Sequence, residues 1–532
     1  SDGQSAEITQ TSAQEGYLIK KTTLENLQPG TTYYYQVEGK EIESFTTDDD
    51  TSDFSFILVG DPQIGSSNEE KAKTPEDIQK PTFLTAQSEA VRNDTFNWNY
   101  TLNRAYSRTG NSAGFILSSG DQIQTNAEKV EDGTVSEMEY AGYLSPDIMK
   151  SVPVATTVGN HDADNANYTY HFNTANLSSL GDNGYVGGDY YFTYGDALFI
   201  ILNTQDTNVS EHKQFIEDTV AANPECKWRI VTLHQDIYGS AEHSNEPEIT
   251  NLRYSLVPIF EENDVDIVLT GHDHAYSRTK ILKGGQSTTE FEYTDDEFDE
   301  QLDKDVDVGD STETRYEAPA NIQDDTTDPA EQRYLEYLYS VMDDEAVQEL
   351  TENQDVAVNP DGIMYLTAGS SSGSKYYDLV PRQQTYIASR WQMDVPTYSV
   401  IDLTETTLTV NTYRTDTDEP IDSQFMIVKS ADHSQLTDLI SQAEALSADD
   451  YTEDSYSVMQ QALEAATAVN NDAQATTEEL TNAYTALKSA IDALVEKPVQ
   501  TPTDDEQNGT TTDPSQNGTT TDPSQNGTTE NP

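Results

Sequence analysis

Val265-Asp266-Ile267-Val268-Leu269-Thr270-Gly271-His272-Asp273-His274 is the stretch whose reading decides the fold. An apolar run of strand length stops at a glycine and then offers two imidazoles. Alternate side chains of a strand point to one face. The spacing therefore predicts that His272 and His274 share a side where the strand runs out and reach one metal cluster. Four other apolar runs end in a polar ligand. Phe54-Ser55-Phe56-Ile57-Leu58-Val59 runs into Gly60-Asp61, and Phe115-Ile116-Leu117 runs into Gly120-Asp121. Val152-Pro153-Val154-Ala155 leads to Gly159-Asn160-His161-Asp162, and Arg229-Ile230-Val231-Thr232-Leu233 leads to His234. Strand ends that offer Asp, Asp, Asn, His and His-x-His read as a hydrolytic site for two metals.

The chemistry needs these residue types. Hydrolysis of a phosphate ester at neutral pH requires a strong nucleophile and relief of negative charge. Two divalent ions about 3.5–4 Å apart supply both. A bridging carboxylate holds the pair, and further N and O donors complete each shell.

Around these motifs, residues 51 to about 430 alternate strands with helices, which indicates a layered α/β core. A helix is expected from Asp94, a plausible N-cap, with Trp98, Leu102, Ala105 and Tyr106 on one face. Others are expected over 210–222 and 250–263. Residues 188–203 and 398–429 read as antiparallel strands, so the expected fold is α/β with a mixed sheet sandwich flanked by helices. Between about 284 and 358 the pattern weakens and acids dominate. This stretch reads as an inserted surface excursion with a helix at 330–350; a lid over the site is the functional alternative.

Residues 1 to about 50 read as the back half of a β-sandwich. Leu27-Gln28-Pro29-Gly30-Thr31-Thr32 is a turn, and Tyr33, Tyr35 and Val37 alternate with Tyr34, Gln36 and Glu38. About three strands fit before Phe54 where a complete sandwich needs about seven, so the segment is expected to be poorly supported. Residues 433–496 carry apolar stripes at helical spacing: Leu436, Leu439, Ile440, Ala443 and Leu446; Met459, Leu463, Ala466 and Val469; Leu480, Ala483, Tyr484, Leu487, Ile491 and Leu494. Three amphipathic helices predict an antiparallel bundle. From 497 to 532, Gln-Asn-Gly-Thr-Thr-Thr-Asp-Pro-Ser recurs with nothing apolar to bury, which is expected to be a disordered spacer.

The 532-residue chain has 96 acidic and 28 basic side chains, a net charge of −68. A nucleic acid duplex would be repelled, and so would an anionic lipid surface. A single cysteine, Cys226, excludes an intrachain disulfide and a thiolate metal cluster. No stretch reaches the roughly 20 apolar residues of a membrane span. No signal peptide is read at Ser1, and the chain is taken as a mature or excised fragment of an extracellular or cell-surface protein.

The ordered motifs from Asp61 to His274 resemble the calcineurin-like metallophosphoesterases, and among them the purple acid phosphatases. The likeness is sharpest in Gly271-His272-Asp273-His274-Ala275-Tyr276-Ser277-Arg278 and in His234-x-x-x-Tyr238-x-Ser240-x-x-His243. Leu24…Leu27-x-Pro29-Gly30-Thr31-x-Tyr33-x-Tyr35 resembles a fibronectin type III domain with its tyrosine corner, a habit of the same group. The helical stripes resemble the three-helix FIVAR modules of bacterial surface proteins, whose contact with cell wall or glycan is a second reading beside that of a plain core.

The metallophosphoesterase resemblance implies a fold, two divalent ions (Mn, Zn or Fe) and a set of roles. Asp61, Asp121 and His274 would bind the first ion, with Asp121 bridging. Asn160, His234 and His272 would bind the second. His161 would protonate the leaving alkoxide or stabilise its charge, and His243 would help bind phosphate. His171, His212 and His433 are expected to be structural. Two departures stand out. The family's Asp-x-His position reads Asp61-Pro62-Gln63, where Gln63 offers a weaker carbonyl oxygen. The tyrosine that colours purple acid phosphatases falls on Gln124, which predicts a colourless protein. The implied activity is hydrolysis of a small phosphate monoester. A phosphodiesterase or nucleotidase, and a surface binding protein on a degenerate phosphatase domain, are the alternatives.

Overall fold

The computed structural model describes residues 9–12, 18–49, 51–70, 72, 74–125, 134–163, 166–285, 293–306, 316–342, 348–349, 355–429, 433–472 and 475–497. It divides into two compact units, Ser1–His433 with Asn470–Leu480, and Ser434–Val469 with the chain from Thr481.

Two seven-stranded sheets form the centre of the first unit. In one, Phe54–Val59, Phe115–Ser118 and Val154–Thr156 run parallel. Thr397–Leu403, Thr407–Arg414 and Phe425–Val428 extend that sheet antiparallel from Phe54–Val59. In the other, Ala197–Ile201, Trp228–Thr232, Ile267–Thr270 and Met364–Thr367 run parallel, and Tyr190–Tyr194 and Tyr276–Thr279 flank them antiparallel. Strands covered on both faces read as unbroken apolar runs rather than as alternation. Phe56, Leu58, Phe115 and Leu117 meet Phe199, Ile230, Ile267 and Leu269 between the sheets. The alternate residues Ile57, Val59 and Ile116 face Trp98, Leu102 and Ala105 of the helix Pro81–Arg108. Likewise Leu198, Ile200, Val231 and Val268 pack on Phe215 and Ile216 of Val209–Ala222 and on Leu256 and Phe260 of Pro247–Glu262. Each such side chain, fully buried, is worth about 1.5–3 kcal/mol. The result is helix, sheet, sheet, helix, a mixed α/β fold. Pairing Leu58 with Leu117 and Leu117 with Ala155 levels the carboxyl ends of three strands along one edge. Thr232 pairs with Leu269 and Thr270 with Thr367 at the corresponding edge of the second sheet.

Four expectations need correction. The helix expected from Asp94 starts at Pro81, with proline in its first turn. Asp94 lies inside it, buried, and accepts the Gly65 N–H at 2.8 Å. A polar residue ahead of an apolar stripe looked like a cap because its partner is a distant loop. The N-terminal segment has four strands in two antiparallel pairs, Thr9–Ser12 with Leu18–Lys21 and Thr32–Gln36 with Ile42–Thr46. No residue of 18–49 is buried, as expected of a poorly supported segment, and its ties to the sheets' flank include Tyr35 Oη to the Lys150 carbonyl at 2.7 Å and Lys150 to Glu43 at 3.3 Å. Within it, Tyr33 Oη accepts the Gln28 N–H at 2.6 Å. The excursion holds two helices, Asp295–Asp305 and Pro329–Met342, with a core of their own made by Phe298, Leu302, Tyr334, Leu338 and Val341. Residues 343–347 lie outside the described residues.

The second unit carries most of three helices, Ser434–Glu444, Glu453–Asn470 and Thr477–Asp492. Leu436, Leu439, Ile440, Ala443, Met459, Ala466 and Leu487 are buried in it. Residues 498–532, read as a spacer, lie outside the described residues. No helix among the described residues is long and apolar enough to cross a membrane.

Candidate metal centre

The fourth correction concerns backbone at the strand ends. The strand Ile267–Thr270 has ended before His272, so strand alternation does not bring the two imidazoles together. His272 and His274 both have positive φ, 72° and 52°, as do Asp61 at 43°, Gln63 at 35° and Asp121 at 48°. Left-handed backbone at non-glycine residues costs of order 1–3 kcal/mol each and gathers at functional sites. Asp and His tolerate it better than most residues do. The glycines that precede the ligands make room for them. A Cβ on Gly120, whose φ is +114°, would lie 2.2 Å from His234 Nδ1. One on Gly159 would lie 2.0 Å from Asp121 Oδ1.

These turns bring the expected ligands together. Asp61 accepts the His272 N–H on both oxygens, at 3.0 and 3.1 Å, and its Oδ1 is 3.7 Å from His274 Nε2. Asp121 Oδ1 is 3.4 Å from His234 Nε2 and accepts the His161 N–H at 2.9 Å. His234 Nε2 is 3.1 Å from Asn160 Oδ1 and 3.3 Å from His272 Nδ1. Donor atoms of Asp61, Asp121 and His234 all lie within 4.8 Å of one another. Backbone carbonyls set the tautomers, since a carbonyl can only accept. His234 Nδ1 donates to Ser119 O at 2.9 Å, His274 Nδ1 to Lys375 O at 3.0 Å and His161 Nδ1 to Gln124 O at 2.6 Å. In the neutral ring Nε2 is then the acceptor nitrogen, and for His234 and His274 this is the usual outer support of a metal-binding imidazole.

The donor set fits divalent cations. Buried carboxylate and imidazole acceptors face one another, and burial and mutual charge move their titration. Burial pushes Asp61 up to about 8. Burial would lower His234, but the Asp121 charge outweighs it and raises the ring to about 9. Burial lowers His274 to about 3, and burial with the nearby His243 charge holds His272 well below its ordinary value. Asp121 is pushed up by burial, yet His234 and His161 bring it below its ordinary value. Gln63 Oε1 is buried and has no hydrogen-bond partner among the described residues, as a carbonyl reserved for a cation would be.

A second layer aligns the loops. Asp162 accepts the Gly159 and Gln122 N–H groups at 3.1 and 3.3 Å, which fixes the turn bearing Asn160 and His161. Asp273 accepts the His243 N–H at 2.9 Å and the Ala241 N–H at 2.5 Å, joining the His272 loop to the His243 loop. His243 packs its ring 4.6 Å from that of His272 and holds Glu246 Oε1 at 2.5 Å through Nδ1. Glu246, missed in the sequence, stands three residues after His243, and that spacing on a short turn was a usable signal. Tyr377 and Lys375 were also missed; they sit in a Ser/Gly-rich loop with no motif. Away from the centre, His171 meets Glu137 at 3.1 Å, His212 meets Asp189 at 2.8 Å and His433 meets the Asn470 carbonyl at 3.0 Å.

Residues 55–276 match the family model of the calcineurin-like phosphoesterases. The chain therefore carries a calcineurin-like metallophosphoesterase domain, with purple acid phosphatase-like homologues. It is 26% identical over 181 residues to purple acid phosphatase 4 of Arabidopsis thaliana, covering 30% of this chain and 52% of that protein. To purple acid phosphatase 18 of the same plant it is 38% identical over 60 residues, 11% of this chain and 14% of that one. The chain thus spans about half the length of the first of these relatives, or less. A purple acid phosphatase from yellow lupin (Lupinus luteus) seeds is similar in structure, with TM-score 0.45 and 12% identity over 76% of this chain and 61% of that one.

Proposed function

We propose that the chain hydrolyses phosphate esters at a pair of divalent ions, with small phosphomonoesters as substrates. The observation that carries this is the convergence of Asp61, Asp121 and His234 donor atoms within 4.8 Å, under the inward-facing Nε2 atoms of His274 and His161. Asp61, Gln63, Asp121 and His274 would hold one ion, and Asp121, Asn160, His234 and His272 the other. Two such ions would supply activation of water and offset phosphate charge.

The chain's own residues do the rest. Asp121 is buried and kept anionic by the His234 and His161 rings, so it suits a bridging place. His161 is locked by Gln124 O with Nε2 4.0 Å from Asp121 Oδ2 and its side chain 18% exposed. With Nδ1–H held by that carbonyl, only the imidazolium form carries a hydrogen on Nε2, and in that form the ring would pass it to the departing alkoxide. His243, paired with Glu246 and raised above its ordinary value despite burial, adds positive charge at the phosphate side.

The flanking segments fit a surface protein. The Tyr33–Gln28 hydrogen bond is of the tyrosine-corner kind and supports a fibronectin type III-like origin for the first segment. The buried stripes of the second unit support a FIVAR-like helical module, for which contact with cell-wall glycan is proposed. An extracellular or cell-surface location goes with that reading.

The test is metal content together with turnover of p-nitrophenyl phosphate, for the parent chain and Asp121→Asn. Two ions per chain and a turnover that the variant loses are expected. A metal-replete protein that hydrolyses no ester would sink the reading in favour of a surface binder.

A further inference from the structure

The loop after the strand Met364–Thr367 passes over the centre and brings two side chains that no motif marks. Its backbone is tied to the site, because the Lys375 carbonyl accepts the His274 Nδ1 hydrogen at 3.0 Å. The Tyr377 ring stands 4.7 Å from the His243 ring and 5.0 Å from the His274 ring, edge-on to both. The Lys375 ammonium lies 4.3 Å over the Tyr377 ring centre. It donates to the Tyr377 hydroxyl. A hydroxyl that accepts from an ammonium keeps its own hydrogen to give, so an N–H and an O–H donor stand side by side at the rim. Both residues are half-buried.

We propose that Lys375 and Tyr377 bind phosphate oxygen beyond the charge the two metal ions neutralise, either an outer oxygen of the reacting phosphate or a second phosphate attached to it. The proposal rests on the hydrolase reading above. Two divalent ions carry about four positive charges, of which Asp61 and Asp121 cancel about two. A monoester dianion uses the remainder, and any further anionic oxygen needs another cation. In a chain with 28 basic and 96 acidic side chains, a lysine whose backbone holds His274 and whose ammonium sits on Tyr377 is not background. Its charge reaches His243, His274 and Glu242.

Calorimetric titration of the metal-loaded full chain with inorganic phosphate and with inorganic pyrophosphate tests this, comparing the parent with Lys375→Met, Lys375→Arg and Tyr377→Phe. Lys375→Met is expected to weaken binding about tenfold and Lys375→Arg to retain most of it. Metal content should be unchanged, and for p-nitrophenyl phosphate any loss should fall on KM rather than kcat. Weakening of both anions assigns the rim to the reacting phosphate, and weakening of pyrophosphate alone to a second phosphate. Unchanged affinity for both in folded, metal-loaded Lys375→Met overturns the proposal, as does a parent chain that binds neither. A parent that binds the anions yet turns over no ester defeats the hydrolase reading and leaves the rim standing.

Discussion

His161 gives its Nδ1 hydrogen to the backbone carbonyl of Gln124 at 2.6 Å. The ring is thereby oriented by the main chain at the very position where the purple acid phosphatases carry their metal-binding tyrosine. The side chain at 124 can change without disturbing this hydrogen bond to the ring. His161→Gln is expected to lower kcat by about 10²–10³, within the usual range for loss of a general acid. The loss should be larger for an alkyl phosphate than for p-nitrophenyl phosphate, whose leaving group needs no proton. Equal losses on both substrates would remove His161 from that role.

With Gln124 in place of tyrosine, iron-loaded protein is expected to stay colourless. A visible absorption spectrum of the ferric form checks this, and a phenolate-to-iron band in the parent chain would contradict it.

Gln63 Oε1 is buried without a partner, at a residue whose φ is 35°. Imidazole binds Zn²⁺ or Fe more firmly than a carboxamide oxygen, and histidine tolerates this backbone. Gln63→His is therefore expected to hold its first ion more tightly. Gln63→Leu should lose that ion on dialysis. Metal stoichiometry after a chelator challenge measures both. Equal retention by all three proteins would take Gln63 out of the coordination shell.

Much of the centre was legible because physics repeats it. A strand buried on both faces must be apolar throughout, so a Gly followed by Asp, Asn or His at its end stands out. What lay hidden depends on contacts between distant segments. Asp94 was read as a helix start because its partner, the Gly65 N–H, is in another segment. The excursion looked solvated because acids outnumber apolar residues in Asp295–Asp305, yet Phe298 and Leu302 share one helical face and are buried. Its start was written in Thr294 and Glu297, which cap each other's backbone. Lys375 and Tyr377 carry no pattern at all. Only the return of their loop over His274 gives them a place.

Gly159 is a sharper test of the geometry than any ligand. A methyl group at this position would lie 2.0 Å from Asp121 Oδ1 and 2.3 Å from the Asp121 backbone N. Gly159→Ala must push the Asp121 turn away. Overpacking costs about 1–3 kcal/mol in stability, while the displaced carboxylate would no longer suit the proposed bridging place. Turnover is expected to fall at least about 100-fold, as for misplacement of a catalytic group by 1 Å, with metal content falling too. Retained metal and turnover in Gly159→Ala would show that Asp121 is not the bridge.

Glu139 sets a pH dependence of folding outside the metal shell. It is fully buried, and its oxygens accept from Thr125 N at 2.8 Å, Thr125 Oγ1 at 2.7 Å and Gln87 Nε2 at 2.6 Å. Burial nonetheless pushes it up to about 8 from an ordinary 4.5. The folded chain then binds the proton that the unfolded chain has released, so stability falls as pH rises. Its contribution is fully present below about pH 4.5 and is lost progressively towards pH 8. Asp61 and Asp162, also raised to about 8 by burial, act with the same sign. Glu139→Gln removes one share of this slope while an amide oxygen still accepts the Thr125 N–H. In metal-free protein the variant's Tm is expected to decline less than the parent's between pH 5 and pH 8, and to lie above it at pH 8 by on the order of a few degrees. Thermal scans of both proteins across that interval decide the matter, and parallel pH profiles would mean that Glu139 is already ionised in the folded state.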